Sequence, residues 1–149
     1  MGLDMYLHRD VYVGTENGDK IVVKSANNKV KKKIIIHRDL PGIHIREPLA
    51  YWRKANAIHR YLLECAGAED NGNEAWLYGH HLKQLRDVCQ EVLNNHDLAK
   101  EKLPTKEGFF FGSTEYDEYY FEQLQKTIEM IDAIDDLREY DTIVYTPSW

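Results

Sequence analysis

An α+β fold is what this sequence predicts: one domain, residues 1–149, in which an N-terminal meander and a C-terminal strand form a small antiparallel sheet packed against three helices. Three observations carry the expectation. Residues 5–45 hold short runs of Val, Ile and Tyr separated by turn pairs, the apolar spacing changes to a helical period after Glu47, and a β-type run returns at Thr142–Tyr145. With 149 residues, 43% of them hydrophobic and 30% charged, the chain is long enough to bury one core.

The elements follow in order. Met5 to Val13 reads as a strand, the pair Asn17-Gly18 as a hairpin turn, and Ile21-Val22-Val23 as the returning strand. Asn27-Asn28 makes a second turn before Ile34-Ile35-Ile36, with Lys29, Lys31, Lys32 and Lys33 beside it, where charge protects an edge. Pro41-Gly42 breaks the run and Ile43-His44-Ile45 adds a short strand. From Pro48 the stripe Tyr51, Ile58, Leu62, Cys65 predicts a first helix ending near Gly67. Ala75 to Tyr78 is a short strand, and Leu82, Leu85, Cys89 and Val92 mark a second helix that stops at Asn94-Asn95. An apolar strand, Phe109-Phe110-Phe111, leads to Ser113 and Thr114 as caps of a third helix. Its stripe is Tyr120, Leu124, Ile128, Ile131 and Ile134, a length of roughly 24 residues by periodicity. The expected core is Leu7, Val22, Ile35, Ile58, Leu62, Leu85, Cys89, Leu124, Ile128 and Ile131.

Charge is divided unevenly. Residues 1–103 carry 16 Lys or Arg against 14 Asp or Glu, whereas residues 104–149 carry 3 against 11. Residues 20–60 hold 11 basic and 2 acidic side chains, which allows a basic face, but the acidic last third opposes direct DNA binding and no base-reading motif is present. No window approaches the roughly 18 apolar residues of a spanning helix, so a membrane role is not expected. Cys65 and Cys89 both fall on apolar helix faces, which suits reduced thiols in a cytosolic protein.

Familiar catalytic patterns fail. His37-Arg38-Asp39-Leu40 resembles a kinase catalytic loop, but His44 stands where a metal-binding Asn is needed and no phosphate loop is present. His8-Arg9-Asp10 repeats the tripeptide without repeating its surroundings. His80-His81 are adjacent on a helix, where two ligands for one ion sit four apart. Neither a metal nor a cofactor is expected.

Two segments are left. In 51–59, Trp52, Asn56 and His59 are spaced by 4 and 3 on one face of the expected helix, with Arg53 beside them. Trp supplies a stacking plane, Asn a donor and an acceptor, His a titratable group and Arg an anion ligand. The alternative is a half-buried face whose Asn and His satisfy nearby backbone. In 109–120, Ser113, Tyr116, Asp117 and Tyr119 lie at a helix start and could face a cleft beside the first helix. The three acids there, Glu115, Asp117 and Glu118, already complement the dipole.

The same segments carry a resemblance. Met1-Gly2-Leu3-Asp4-Met5-Tyr6-Leu7, Ala50 through His59, and Leu103-Pro104-Thr105 through Tyr120 resemble a family of small uncharacterised proteins of bacteriophages and prophages, over nearly the whole chain. The chain departs from the family's pattern at Tyr61-Leu62, where a Trp-Phe pair is usual. The resemblance implies life in the cytoplasm of an infected bacterium, where small phage proteins neutralise host defence or redirect host enzymes.

The functional expectation is a non-catalytic binding protein that holds a small, nucleotide-like anion between Trp52, Arg53, Asn56, His59 and the segment containing Ser113, Tyr116, Asp117 and Tyr119. A second reading is a protein-binding inhibitor that uses the acidic helix face from Glu115 to Glu139 to occupy a basic nucleic-acid site on a host enzyme. A third is a small enzyme with His59 as general base, oriented by Asn56 or Asp117, and Arg53 holding an anionic substrate.

Overall fold

A computed structural model describes residues 2–14, 21–23, 34–36 and 42–149. The strands are β1 (Asp4–Gly14), β2 (Ile21–Val23), β3 (Ile34–Ile36), β4 (Gly42–Arg53), β5 (Ala75–Tyr78) and β6 (Thr142–Ser148). The helices are α1 (Asn56–Ala66), α2 (Gly79–Asn94), the single turn α3 (Ala99–Lys102) and α4 (Glu118–Asp132). The protein is α+β, as the sequence predicts, with a four-stranded antiparallel sheet in the order β4-β1-β6-β5.

The makeup of that sheet differs from expectation. β2 and β3 do not enter it; they pair antiparallel with each other, Val22 opposite Ile35. The strand beside β1 is β4, and the C-terminal β6 lies between β1 and β5, with Leu7 and Ala75 both opposite Tyr145. The expected turns at Asn17-Gly18 and Asn27-Asn28, the lysine run and His37-Arg38-Asp39 lie outside the described residues, as do the side chains of Val22 and Ile35. Two compact units result, one of residues 1–10 with 46–149 and one of residues 11–45.

Alternation along the strands of the larger unit separates two faces. Leu3, Met5, Leu7, Trp52, Ala75, Leu77, Ile143 and Tyr145 are buried in one core with Ile58 and Leu62 of α1, Leu82, Leu85 and Cys89 of α2, and Leu124, Ile128 and Ile131 of α4. Tyr6, Tyr51, Trp76 and Tyr78 stand exposed on the other face. Eight of the ten core residues expected from sequence are buried; the other two are Val22 and Ile35.

Two helix boundaries are corrected. Residues 47–53, expected in the first helix, extend β4, and α1 begins only at Asn56. β4 is an edge strand, where Pro48 can leave its missing N–H outside the ladder. Tyr51, assigned to the apolar stripe, is exposed and donates its hydroxyl hydrogen to Asp4. The third helix is 15 residues long and its cap is Asp117, whose carboxylate accepts from the Tyr120 N–H. Ser113 instead accepts from the Glu115 N–H in a local turn, and Ile134 lies beyond the helix end. Phe109–Phe111 is a turn, not a strand, closed by the Phe111 N–H to the Gly108 carbonyl at 3.0 Å. Elsewhere the signals hold: Gly67 caps α1 in the left-handed region, and α2 spans the expected stripe.

Candidate functional site

The two segments singled out by sequence meet. Asn56, the first residue of α1, is buried, and its side-chain amide donates to the carbonyls of Phe111 (3.1 Å) and Ser113 (2.8 Å). Its carbonyl oxygen accepts from the Lys106 N–H at 3.1 Å. One side chain thus fixes the 105–106 and 111–113 segments against the start of α1, which explains why residues 113–116 do not wind into helix. Tyr119 closes the same junction from α4 by donating its hydroxyl hydrogen to the Arg53 carbonyl.

Between these segments lies a cleft lined by Lys54, Thr105, Ser113, Glu115, Asp117 and Tyr119. Its enclosed volume is about 20 Å³, space for a water-sized group, against about 320 Å³ when the open solvent at the mouth is counted. Any larger ligand would therefore insert one group and lay the rest across the mouth, where Tyr119 is 44% exposed.

Lys54 organises the mouth. It stands between β4 and α1 with φ of 54°, a left-handed conformation that is costly for a side chain with a Cβ. The Lys54 N–H donates to the Leu3 carbonyl at 2.7 Å, and its stem crosses Gly112, itself left-handed at φ 84°. A Cβ on the buried Gly2 would stand 2.8 Å from Lys54 Cε and 3.8 Å from a terminal nitrogen of Arg53. Both cationic side chains therefore pass close to Gly2, the Lys54 stem nearest. Neither shares an ion pair with a carboxylate among the described residues.

No family model, curated protein or solved structure matches the chain. The site is accordingly read from its own geometry.

Of the residues expected in it, Arg53, Ser113, Asp117 and Tyr119 lie at or beside the cleft, and Asn56 shapes its wall with every hydrogen-bonding group engaged inside the fold. Tyr116 is partly buried, and its hydroxyl accepts from the Thr105 N–H at 3.3 Å. Trp52 and His59 are placed elsewhere. Trp52 is on β4, not on a helix face with Asn56; it is 1% exposed and its indole N–H donates to the Thr127 hydroxyl at 2.8 Å. His59 has no exposed surface. Its Nδ1 is 2.6 Å from the Tyr145 hydroxyl and its Nε2 is 3.0 Å from Asp70, which also pairs with Lys106 at 2.9 Å. Burial lowers the His59 pKa, partly offset by Asp70, while burial keeps the Tyr145 phenol protonated. The neutral ring then accepts from Tyr145 and donates to Asp70, so neither nitrogen is free to take a proton from a substrate. This removes the group on which the enzymatic reading rested.

The buried imidazole predicts a pH dependence. In the unfolded chain it binds a proton near its ordinary pKa of 6.5, whereas the folded chain resists protonation. Its contribution to stability is therefore complete above pH 6.5 and is lost as pH falls from there to the lower folded-state value. Urea unfolding across that window should show the loss in the wild type and a flatter profile in His59→Gln.

Sequence reasoning missed Lys54, Thr105 and Glu115 at the cleft, and Asp70 and Tyr145 around His59. The glycines at positions 2 and 112 were the available signal for Lys54, but nothing local says which side chain crosses them. Among the described residues no three metal-ligating side chains converge, and no helix is long and apolar enough to cross a membrane.

Proposed function

We propose that the protein is a non-catalytic binding protein of phage type that holds a small nucleotide-like anion in the host bacterial cytoplasm. The observation that carries this reading is Lys54, which lines the cleft without an acidic partner among the described residues, with Arg53, likewise unpaired, next to it in the chain and reaching the same Gly2. Arg53 and Lys54 are both exposed, and an Arg and a Lys supply the forked and point donors that phosphate binding uses. The left-handed Lys54 is a local backbone cost at this junction, one of two such non-glycine positions among the described residues with Asp136, and binding sites commonly bear such costs. The Tyr119 ring at the mouth offers a face for a base. Binding, rather than turnover, fits a cleft whose neighbouring imidazole is sealed inside the core.

Lys54→Gly tests both halves of the argument. Glycine adopts the left-handed conformation without a Cβ penalty, so the variant should gain about 1 kcal/mol and about 2–4 °C in Tm. It should also lose nucleoside monophosphate affinity by about tenfold or more in calorimetry, as expected for one charge-assisted contact. A variant that binds as tightly as the wild type, or a wild type that binds no nucleotide, defeats the proposal.

A further inference from the structure

The face of the four-stranded sheet turned away from the helices carries side chains that protein interfaces favour. Tyr6 on β1, Tyr51 on β4, and Trp76 and Tyr78 on β5 are between 41% and 52% exposed. Arg46 reaches across this face from one edge strand to the other, with its guanidinium 5.8 Å from the centre of the Trp76 ring and paired to Glu74 at 2.6 Å. Val144, opposite both His8 and Trp76 in register, has no exposed surface although it lies outside the main core. The His8 Nδ1 beside it is buried without a hydrogen-bond partner among the described residues. The centre of the face is therefore dry, with half-exposed rings and an arginine around it, which is the makeup of interface hot spots.

We infer that this sheet face pairs with the same face of a second copy of the chain, as a two-fold dimer. Charge selects that occupant. The charged groups of the face are matched within it: Arg46 with Glu74, Asp10 near the same guanidinium, and Asp4 with the Tyr51 hydroxyl. Such a face offers no run of one sign to a strongly basic or acidic protein, and its carboxylates oppose a nucleic-acid strand. The acidic excess lies in the other layer, where α4 carries Glu118, Glu122, Glu129 and Asp132 against Lys126. Pairing sheet to sheet, about 10 Å apart, keeps both copies of α4 on the outside, whereas docking through the helices would set like charges together. A two-fold interface needs a patch that complements itself, and rings with internally paired charges do so. Strands about 4.8 Å apart and about seven residues long present roughly 400 Å² in flat projection, to which the protruding rings add. The contact then falls at the low end of the about 800 Å² per partner of a stable interface, which gives a weak dimer with Kd on the order of 10 µM.

Sedimentation velocity on the full chain, from about 1 µM to about 500 µM, tests the pairing. The wild type should pass from monomer to dimer within this range. Added salt should strengthen the dimer, because it screens the repulsion between two chains of net charge −6. Tyr6→Glu and Trp76→Glu, on β1 and β5, each place an unpaired charge in the interface and should weaken dimerisation by about tenfold or more. Phe109→Glu removes a ring that is 96% exposed on a turn outside the sheet and should leave dimerisation unchanged. Circular dichroism checks each variant's fold, and if Trp76→Glu disturbs Val144, Tyr6→Glu carries the test. A wild type that stays monomeric throughout overturns the inference, and if its tryptophan fluorescence then responds to a single-stranded oligonucleotide, the rings are a stacking platform instead. A dimer that survives in a folded Tyr6→Glu or Trp76→Glu, or that is lost in Phe109→Glu, overturns the assignment to this face.

Discussion

Asn56→Leu should lower the unfolding free energy by about 3 kcal/mol and abolish the nucleotide binding proposed above. The substitution strands three backbone groups at once, the carbonyls of Phe111 and Ser113 and the N–H of Lys106. A buried polar group left without a partner costs about 1–3 kcal/mol, and two of these three lie only partly buried, where water offsets part of the loss. Chemical denaturation gives the first number. The second effect follows because the 105–106 and 111–113 segments carry Thr105 and Ser113 of the cleft wall. Asn56→Asp separates the two donors from the acceptor. It keeps an acceptor for the Lys106 N–H but turns a carboxylate toward two carbonyl oxygens, so it should be at least as destabilising as Leu at neutral pH and should recover as the carboxylate is protonated. If Asn56→Leu unfolds with wild-type energetics, the junction between the two segments is not held as described.

Ile128→Asp should unfold the larger unit outright or leave it with a stability loss of several kcal/mol. Ile128 is a buried position of α4 in the same core as Leu62, Leu85 and Cys89. An aspartate there buries a charge with no cation placed to pair with it, on top of the lost apolar burial. Loss of near-ultraviolet circular dichroism and of cooperative melting is the expected readout. A variant with wild-type Tm would mean that this face of α4 does not pack inward.

Periodicity made most of the fold legible. The stripe Leu82, Leu85, Cys89, Val92 gave α2, and Leu124, Ile128, Ile131 gave the buried face of α4, because a helix with one apolar face announces itself at spacings of three and four. The β-type run at Thr142 likewise became a strand, extended to Ser148. The first helix was read too early because a stripe of Tyr51, Ile58, Leu62 and Cys65 has a gap of seven at its start, and a single residue beyond such a gap fits a strand as well. The third helix was read too long because Ser113 and Thr114 are good caps locally, while Asp117 wins once Asn56 holds the Phe111 and Ser113 carbonyls in a turn.

The candidate site divides in the same way. The sequence by itself singled out the two segments that the fold brings together, 51–59 and 109–120, because uncommon combinations of ring, amide and charge stand out in composition alone. Only the tertiary structure decided which of those side chains reach solvent. Trp52 and His59 carry the same chemistry in sequence as they would in a binding site, yet Thr127, Tyr145 and Asp70, distant in the chain, satisfy them inside the core. Lys54 is one of 19 basic residues until Gly2 and Gly112 are brought beneath it. The physical reason is that local spacing governs which face of an element is apolar, whereas the partner that satisfies or exposes a polar group arrives from another part of the chain, through contacts that no local window contains.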